Sequence, residues 1–160
     1  MSEMSDSLQK LYGNRLRVRA CGICIENDQL LLVNHHGLAD RNFWAPPGGG
    51  IQFGEAASDC VAREFYEETG LFIEICDFLF AGEFIKGNFH SVELFFLVKK
   101  VGGALITGTD PESANKQIIK KVEFMDWDKI GKIDKHQLHG IFKEVERPSK
   151  IIELRGYFKL

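Results

Sequence analysis

The sequence predicts an α+β fold, an α/β/α sandwich in which a mixed β-sheet is packed between helices. Three observations lead to this prediction. Apolar, strand-like runs stand before and after a central segment that lacks Gly and Pro, a second helical segment follows late, and 160 residues suffice for about one domain. We therefore expect a loose N-terminal leader over residues 1–14 and a single domain over residues 15–160.

The first half of the chain is typical of a hairpin, a loop and a helix. Residues 15–25 alternate apolar side chains with arginines, and residues 29–34 are the apolar return strand after a polar turn. Residues 35–50 contain two prolines and four glycines, which discourage regular structure there. Residues 56–69 contain neither Gly nor Pro and stop at Gly70, and this pattern predicts a helix.

The second half carries three more apolar runs, rich in Leu, Phe, Ile or Val, which predict strands. They cover residues 71–84, 91–98 and 122–127. A polar loop at 107–117 precedes the last of them, and a brief turn or helix follows it. Residues 137–146 read as a late helix that Pro148 ends, whereas the state of residues 151–160 is not predicted.

Composition limits the classes of partner. Lys and Arg number 20 and Asp and Glu number 23, a net charge of −3, so no domain-wide basic field exists to hold duplex nucleic acid. A phosphate bridged by a metal ion is still compatible, because the cation supplies the positive charge. No stretch approaches the roughly 18 apolar residues of a membrane span, and the N-terminus lacks a signal-peptide core. We expect a cytoplasmic protein without a membrane partner.

Two of the four cysteines, Cys21 and Cys24, form a CxxC motif, which is also found in metal and redox sites. There is no second CxxC, and residues three apart on a strand point to opposite faces, so they cannot share a ligand. We expect reduced, mostly buried thiols.

The candidate chemistry lies on the central helix. Glu64, Glu67 and Glu68 stand at i, i+3 and i+4, within about 100° of arc. Such glutamates are usually solvated, but Val61 and Phe65 lie beside them, so the acidic stripe borders the predicted buried face. Clustered carboxylates beside a core are costly unless a cation neutralises them, and hard oxygen ligands select Mg²⁺ or Mn²⁺.

Arg63 stands four residues before Glu67, within ion-pair reach on a helix. It can hold that carboxylate in one orientation, or it can form an ordinary surface pair worth a few tenths of a kcal/mol.

The same segment carries a longer pattern. It consists of Gly49, five residues, Glu55, seven residues, Arg63, Glu64, Phe65, any residue, Glu67, Glu68, any residue, Gly70 and Leu71. These residues match every specified position of the Nudix box, and the segment WAPPG at 44–48 also resembles the approach to that box. A chance match is on the order of one in 10⁸ at ordinary composition. The chain is therefore identified as resembling the Nudix hydrolases.

The resemblance implies an αβα sandwich with a divalent-metal site. In this family the equivalents of Glu64, Glu67 and Glu68 bind Mg²⁺, with Mn²⁺ as a substitute, and the carbonyl of the residue before the box glycine, here Gly48, joins them. The implied reaction is hydrolysis of a nucleoside diphosphate linked to another group. The resemblance also implies that a homodimer is common.

The base that activates water is open to more than one assignment. Glu67, oriented by Arg63, is the first choice. In some members a glutamate outside the box takes this role, and Glu123 resembles such a residue, although a solvated strand-edge carboxylate is an equal reading. Glu112, in the polar loop, is a weaker candidate.

Substrate markers of two subfamilies are absent. The proline that often accompanies ADP-ribose and the tyrosine that accompanies dinucleoside polyphosphates would fall near Lys86 and Gly87. We expect a nucleoside triphosphate or a nucleotide sugar and do not rank the two.

Two alternatives to this activity are open. A non-catalytic nucleotide-sensing module would share the fold, but such modules tend to lose box carboxylates, and all three are present here. An enzyme that trims the 5′ end of RNA would use a local basic surface. The lysines that could form one are Lys99, Lys100, Lys116, Lys120 and Lys121.

Overall fold

The computed structural model describes residues 3–36, 42–107 and 119–160, and these contain three α-helices and eight strands. The helices are α1 (Glu3–Tyr12), α2 (Ala57–Thr69) and α3 (Trp127–Gly131). The strands are β1 (Arg15–Glu26), β2 (Gln29–His36), β3 (Asn42–Ala45), β4 (Gly48–Gly50), β5 (Leu71–Lys86), β6 (Phe89–Gly103), β7 (Ile119–Asp126) and β8 (Gly156–Lys159). Short 3₁₀ segments cover Lys135–Gln137, Gly140–Glu144 and Pro148–Glu153.

The strands form a mixed sheet in the order β3-β2-β1-β6-β5-β8, with β4 paired to β1 and β7 paired to β2. β1 and β6 run parallel from the pair Arg15 and Phe89 to the pair Cys24 and Val98. The long β5–β6 hairpin is antiparallel, and β8 adds a short parallel edge to β5. This mixed sheet with helices confirms the predicted fold class.

Two apolar clusters fill the two sides of the sheet. One packs α2 against β1 and β2 through Val61, Phe65 and their neighbours, and the other packs the sheet against α3 and the 3₁₀ segments. Cys21 belongs to the second cluster and Cys24 to the first, so these thiols face opposite ways, as the strand pattern predicted. Cys21, Cys24 and Cys60 are buried and free, whereas Cys76 is exposed.

Helix α2 matches its predicted range to one residue. Its buried face carries Cys60, Val61 and Phe65. Gly70 ends the helix with φ of 75°, and its N–H donates to the Tyr66 carbonyl. A side chain at that left-handed position would be strained, which is why Gly70 stops the helix.

Residues 3–12 of the predicted N-terminal leader form α1. The segment contains no Gly or Pro, so nothing in it interrupts a helix before Gly13. Asn14 N–H then donates to the Asn88 carbonyl, which joins the end of α1 to the β5–β6 turn. Among the helices of the described ranges, none combines the length and apolarity needed to cross a bilayer.

The glycine- and proline-rich segment is more regular than predicted. Within the described part of residues 35–50, β3 pairs with β2 and β4 pairs with β1. Partner strands satisfy the backbone groups here, so tertiary pairing overrides the local preference for a loop.

The predicted helix over residues 137–146 is also wrong. Leu138 has an extended backbone and bridges to Trp44, and the His139 N–H donates to the Trp44 carbonyl. This contact with β3 leaves two 3₁₀ segments in place of one helix, and Pro148 begins the next 3₁₀ segment. Residues 156–159, for which no state was predicted, form β8.

Candidate functional site

Helix α2 carries two carboxylates into a nearly solvent-free position. Glu64 is 3% exposed and Glu68 is 8% exposed, although both are charged residue types that are seldom buried. They lie beside Val61 and Phe65 on the helix surface. Because that face of α2 packs on β1, Glu64 and Glu68 are buried with it. The third predicted ligand, Glu67, is more open, with 27% of its side chain exposed.

The backbone of β4 lies directly against these carboxylates. A Cβ atom on Gly49 would stand 2.3 Å from the Glu64 carboxyl carbon, so only glycine fits at this position. The Gly48 N–H donates to Glu68 Oε2 at 3.4 Å. β4 is in turn fixed by pairing with β1, where Gly48 stands opposite Cys21.

Arg63 joins the carboxylates of the loop and the helix. Its Nε and Nη2 donate to the two oxygens of Glu55 at 2.7 and 3.0 Å. Its Nη1 donates to Glu64 Oε1 at 2.7 Å and to Glu67 Oε2 at 3.1 Å. Nη2 also reaches the Gly50 carbonyl at 3.2 Å. The predicted pair between Arg63 and Glu67 is thus one contact of a larger network.

The electrostatics of this network follow from those contacts. Hydrogen bonds from Arg63 lower the pKa of Glu55 from 4.5 to about 2, against the opposing effect of partial burial. The same carboxylates raise the pKa of Arg63 above its ordinary value, with the Glu55 hydrogen bond as the largest cause. Burial, followed by the charges of Glu55 and Glu64, raises the pKa of the Cys60 thiol to about 12. Cys60 is therefore a neutral packing residue.

The predicted donor set has the chemistry that a hard divalent cation prefers. It consists only of oxygen atoms, from the carboxylates of Glu64, Glu67 and Glu68 and from the Gly48 carbonyl. In the described ranges, no three His, Cys, Asp or Glu side chains stand as a group ready to hold a metal ion. Arg63 is the cation that contacts Glu64 and Glu67 here, so a metal ion would have to share or replace those contacts.

Glu123 occupies a different position from the α2 carboxylates. It is paired across the sheet with Leu32, and cross-strand partners share a face. Leu32 belongs to the cluster that packs on α3, whereas α2 packs on the opposite cluster. Lys121 and Lys129 both pair with Glu123, and these hydrogen bonds outweigh its burial and lower its pKa.

Two of the remaining predicted features lie outside the described residues. These are Glu112 and Lys116. Of the other lysines considered for a basic surface, Lys100 pairs with Glu26, and Lys121 pairs with Glu123. These contacts partly neutralise the basic surface.

Sequence reasoning missed a second polar network beside β4. Arg19 Nη1 donates to Glu93 Oε2 at 2.7 Å, and His139 Nε2 lies 2.8 Å from Glu93 Oε1. Glu93 is only 3% exposed. The available signal was a glutamate in the middle of the apolar strand run at 91–98, where a charge needs a buried partner.

The chain resembles known proteins in sequence. The sequence model of the NUDIX domain matches residues 15–144. An ADP-ribose pyrophosphatase from Methanocaldococcus jannaschii is 27% identical over 114 residues, which are 70% of this chain and 63% of that protein. The chain thus spans less than two thirds of the length of this relative.

Solved structures share the fold. A NUDIX hydrolase from Nitrosomonas europaea superposes with a TM-score of 0.67 at 18% identity, covering 90% of this chain and 78% of that one. A UDP-X diphosphatase superposes with a TM-score of 0.64 at 18% identity, covering 98% of this chain and 73% of that one. At these identities the likeness concerns the fold alone.

Proposed function

The chain belongs to the NUDIX domain family, and on this premise we propose that it is a divalent-metal-dependent hydrolase of a phosphoanhydride bond. The substrate class is a nucleoside diphosphate linked to another group. One observation carries the proposal above all others. Two buried glutamates of α2, Glu64 and Glu68, lie against the backbone of Gly48 and Gly49.

A site of this kind has an unusual charge balance. Glu55, in the loop before α2, and Glu64, Glu67 and Glu68, on α2, supply four carboxylates, and Arg63 contacts three of them. Burying carboxylates without sufficient countercharge is costly. Binding of a divalent cation would offset this cost, and we propose that Glu64, Glu67, Glu68 and the Gly48 carbonyl hold it, with Mg²⁺ as the ion and Mn²⁺ as a substitute.

When bound, the metal ion supplies charge stabilisation on the phosphates and lowers the pKa of a bound water. The chain's own residues supply the rest. Glu67 is the most exposed of the three box glutamates, so its carboxylate can reach both the metal ion and an incoming water. We assign Glu67 as the group that accepts the proton of the attacking water as the phosphoanhydride bond breaks. Arg63 orients Glu67 and at the same time fixes Glu55 and the Gly50 carbonyl.

One relative and one absent sequence marker bear on the class of substrate. The name of one relative refers to ADP-ribose, which supports the nucleotide class for this chain. We propose a nucleoside triphosphate or a nucleotide sugar, in line with the missing proline near Lys86. A homodimer and a cytoplasmic location are further expectations of this proposal.

The test is a substrate panel. Nucleoside triphosphates, nucleotide sugars, ADP-ribose, dinucleoside polyphosphates and 5′-triphosphate RNA are each incubated with Mg²⁺ and, separately, with EDTA, and the phosphate and nucleotide products are resolved. Metal-dependent cleavage of one compound far above the rest is expected. Preference for the RNA with a steep salt dependence would support the RNA alternative instead. Nucleotide binding without turnover on any compound would support the sensing module.

A matched pair of variants tests the assigned base. Glu67→Gln keeps the side chain's size and removes the base, so kcat is expected to fall by about 10²–10⁴ while the thermal unfolding midpoint stays unchanged. The control is Glu144→Gln, because Glu144 is exposed and lies in a 3₁₀ segment away from α2. Wild-type kcat in Glu67→Gln would remove Glu67 from this role.

A further inference from the structure

A continuous run of hydrogen bonds crosses from the C-terminal 3₁₀ region to the Gly48 carbonyl. The Ile141 N–H donates to His139 Nδ1 at 3.2 Å, and His139 Nε2 lies 2.8 Å from Glu93 Oε1. Arg19 Nη1 donates to Glu93 Oε2 at 2.7 Å, and Arg19 Nη2 donates to the Gly48 carbonyl at 3.1 Å. The run therefore ends on a main-chain oxygen that the proposed function assigns to the metal.

The direction of each bond is set by its neighbours. Because His139 Nδ1 accepts from the backbone, the ring proton is on Nε2, and that nitrogen donates to Glu93. The Glu93 carboxylate accepts from both sides. Arg19 is then left as a double donor, with one arm on Glu93 and the other on Gly48.

The run is rigid as well as directional. Glu93 and His139 are 3% and 6% exposed, and the His139 ring packs edge-on against Phe95 at 5.4 Å between centroids. Burial alone would raise the pKa of Glu93, but the neighbouring Arg19 charge and the hydrogen bonds from His139 and Cys21 lower it. Glu93 therefore stays ionised and paired with Arg19 at physiological pH.

A buried ion pair is weak evidence for stability, since an apolar replacement often stabilises a protein as much. The feature that an apolar pair could not supply is the second arm of Arg19. A guanidinium is planar and presents several N–H groups in a fixed fork, so it can hold Glu93 and the Gly48 carbonyl at the same time. A lysine ammonium at this place could satisfy Glu93 without fixing the carbonyl.

We propose that Arg19, held by Glu93 and His139, is a positioning residue that fixes the orientation of the Gly48 carbonyl for the divalent cation. This inference rests on the proposed function. A carbonyl oxygen has two lone pairs, so one can accept from Arg19 and the other can face the cation. The hydrogen bond from Arg19 restricts the peptide plane of a glycine that has no side chain of its own to restrict it.

The test measures metal binding directly. Binding of Mn²⁺ to the full chain is followed by the loss of the free-ion signal in electron paramagnetic resonance, without any substrate. Arg19→Lys keeps the charge beside Glu93 and removes the second arm, so its Kd for Mn²⁺ is expected to rise about tenfold. The control is Arg17→Lys, because Arg17 lies two residues earlier on β1 and stacks on the Tyr12 ring at 3.9 Å. Its Kd is expected to match wild type.

A second variant tests the inference if Arg19→Lys does not fold, as judged by the absence of a cooperative unfolding transition. Glu93→Asp keeps the charge but is one methylene shorter, so it cannot reach both His139 and Arg19. Glu93→Asp is expected to weaken Mn²⁺ binding. Because both residues act in one network, the double variant Arg19→Lys/Glu93→Asp should lose no more Mn²⁺ affinity than the single variant with the larger loss. Wild-type Mn²⁺ affinity in the folded variants would overturn the inference and leave the proposed function standing. If the wild-type chain itself binds no Mn²⁺, the metal part of the proposed function fails, and this inference fails with it.

Discussion

Arg63 binds both carboxylate oxygens of Glu55 with two parallel hydrogen bonds, from Nε at 2.7 Å and from Nη2 at 3.0 Å. This geometry matches the fork of the guanidinium and fixes it in one plane. The remaining Nη1 then points to Glu64 and Glu67. Glu55 thus sets the orientation of Arg63, and through it the orientation of the Glu64 and Glu67 carboxylates.

Removal of the Arg63 charge should cost stability chiefly in the absence of metal. Arg63→Gln leaves Glu64 buried without its guanidinium, and we expect a loss of about 2 kcal/mol in the free energy of unfolding. This is less than for a fully buried pair, because the Arg63 side chain is 24% exposed. Urea unfolding in EDTA and in Mg²⁺ checks this, with a smaller loss expected in Mg²⁺. An equal loss in both would contradict it. Arg155→Gln, at an exposed ion pair, is the control.

Stability should fall at acid pH through Glu55. Its pKa is about 2 in the folded chain and 4.5 as the ordinary value, so its contribution is fully present above pH 4.5. That contribution is lost as the pH falls from 4.5 towards 2. Urea unfolding between pH 7 and pH 3 should give a shallower acid slope in Glu55→Gln than in wild type. Glu153→Gln, at an exposed side chain, should keep the wild-type slope.

Gly49 should not tolerate even a methyl group. In Gly49→Ala the new Cβ would stand 2.3 Å from the Glu64 carboxyl carbon, so either β4 or Glu64 must move. We expect a loss of about 1–3 kcal/mol by urea unfolding and a large loss of kcat. Gly131→Ala is the matched control, because a Cβ there meets nothing within 4 Å. A Gly49→Ala variant with wild-type activity would show that the close approach of loop and helix is not needed.

Glu123 is expected to be dispensable for the chemical step. Its partners are Lys121 and Lys129, and it lies on the side of β7 away from α2. Glu123→Gln should keep kcat/KM within about threefold of wild type, as for most changes at surface ion pairs. Steady-state kinetics on the preferred compound of the substrate panel checks this. A loss as large as that of Glu67→Gln would place Glu123 in the catalytic role.

The local signals were sufficient where a single element decided the outcome. Helix α2 could be predicted to within one residue because Gly70 ends it and the intervening residues favour a helix. The position of Glu64 and Glu68 at the border of the buried face followed from their place beside Val61 and Phe65. Both features depend on spacing along one helix, which the sequence states directly.

Contacts between distant segments could not be read in this way. The predicted late helix fails because Leu138 and His139 bond to Trp44, almost a hundred residues earlier. Glu93 and Arg19 are 74 residues apart, and the sequence of neither strand indicates that these two residues pair. The sequence indicated only that Glu93, within an apolar strand, needs a partner of opposite charge if it is buried.

The central claim is that the buried glutamates of α2 hold a divalent cation. The most direct test is a Mn²⁺ titration, followed by electron paramagnetic resonance, of the wild-type chain and of the double variant Glu64→Gln/Glu68→Gln. We expect saturable binding by the wild-type chain and a loss of at least about tenfold in affinity in the folded double variant. Equal Mn²⁺ affinity in both proteins would contradict the claim and place the cation elsewhere.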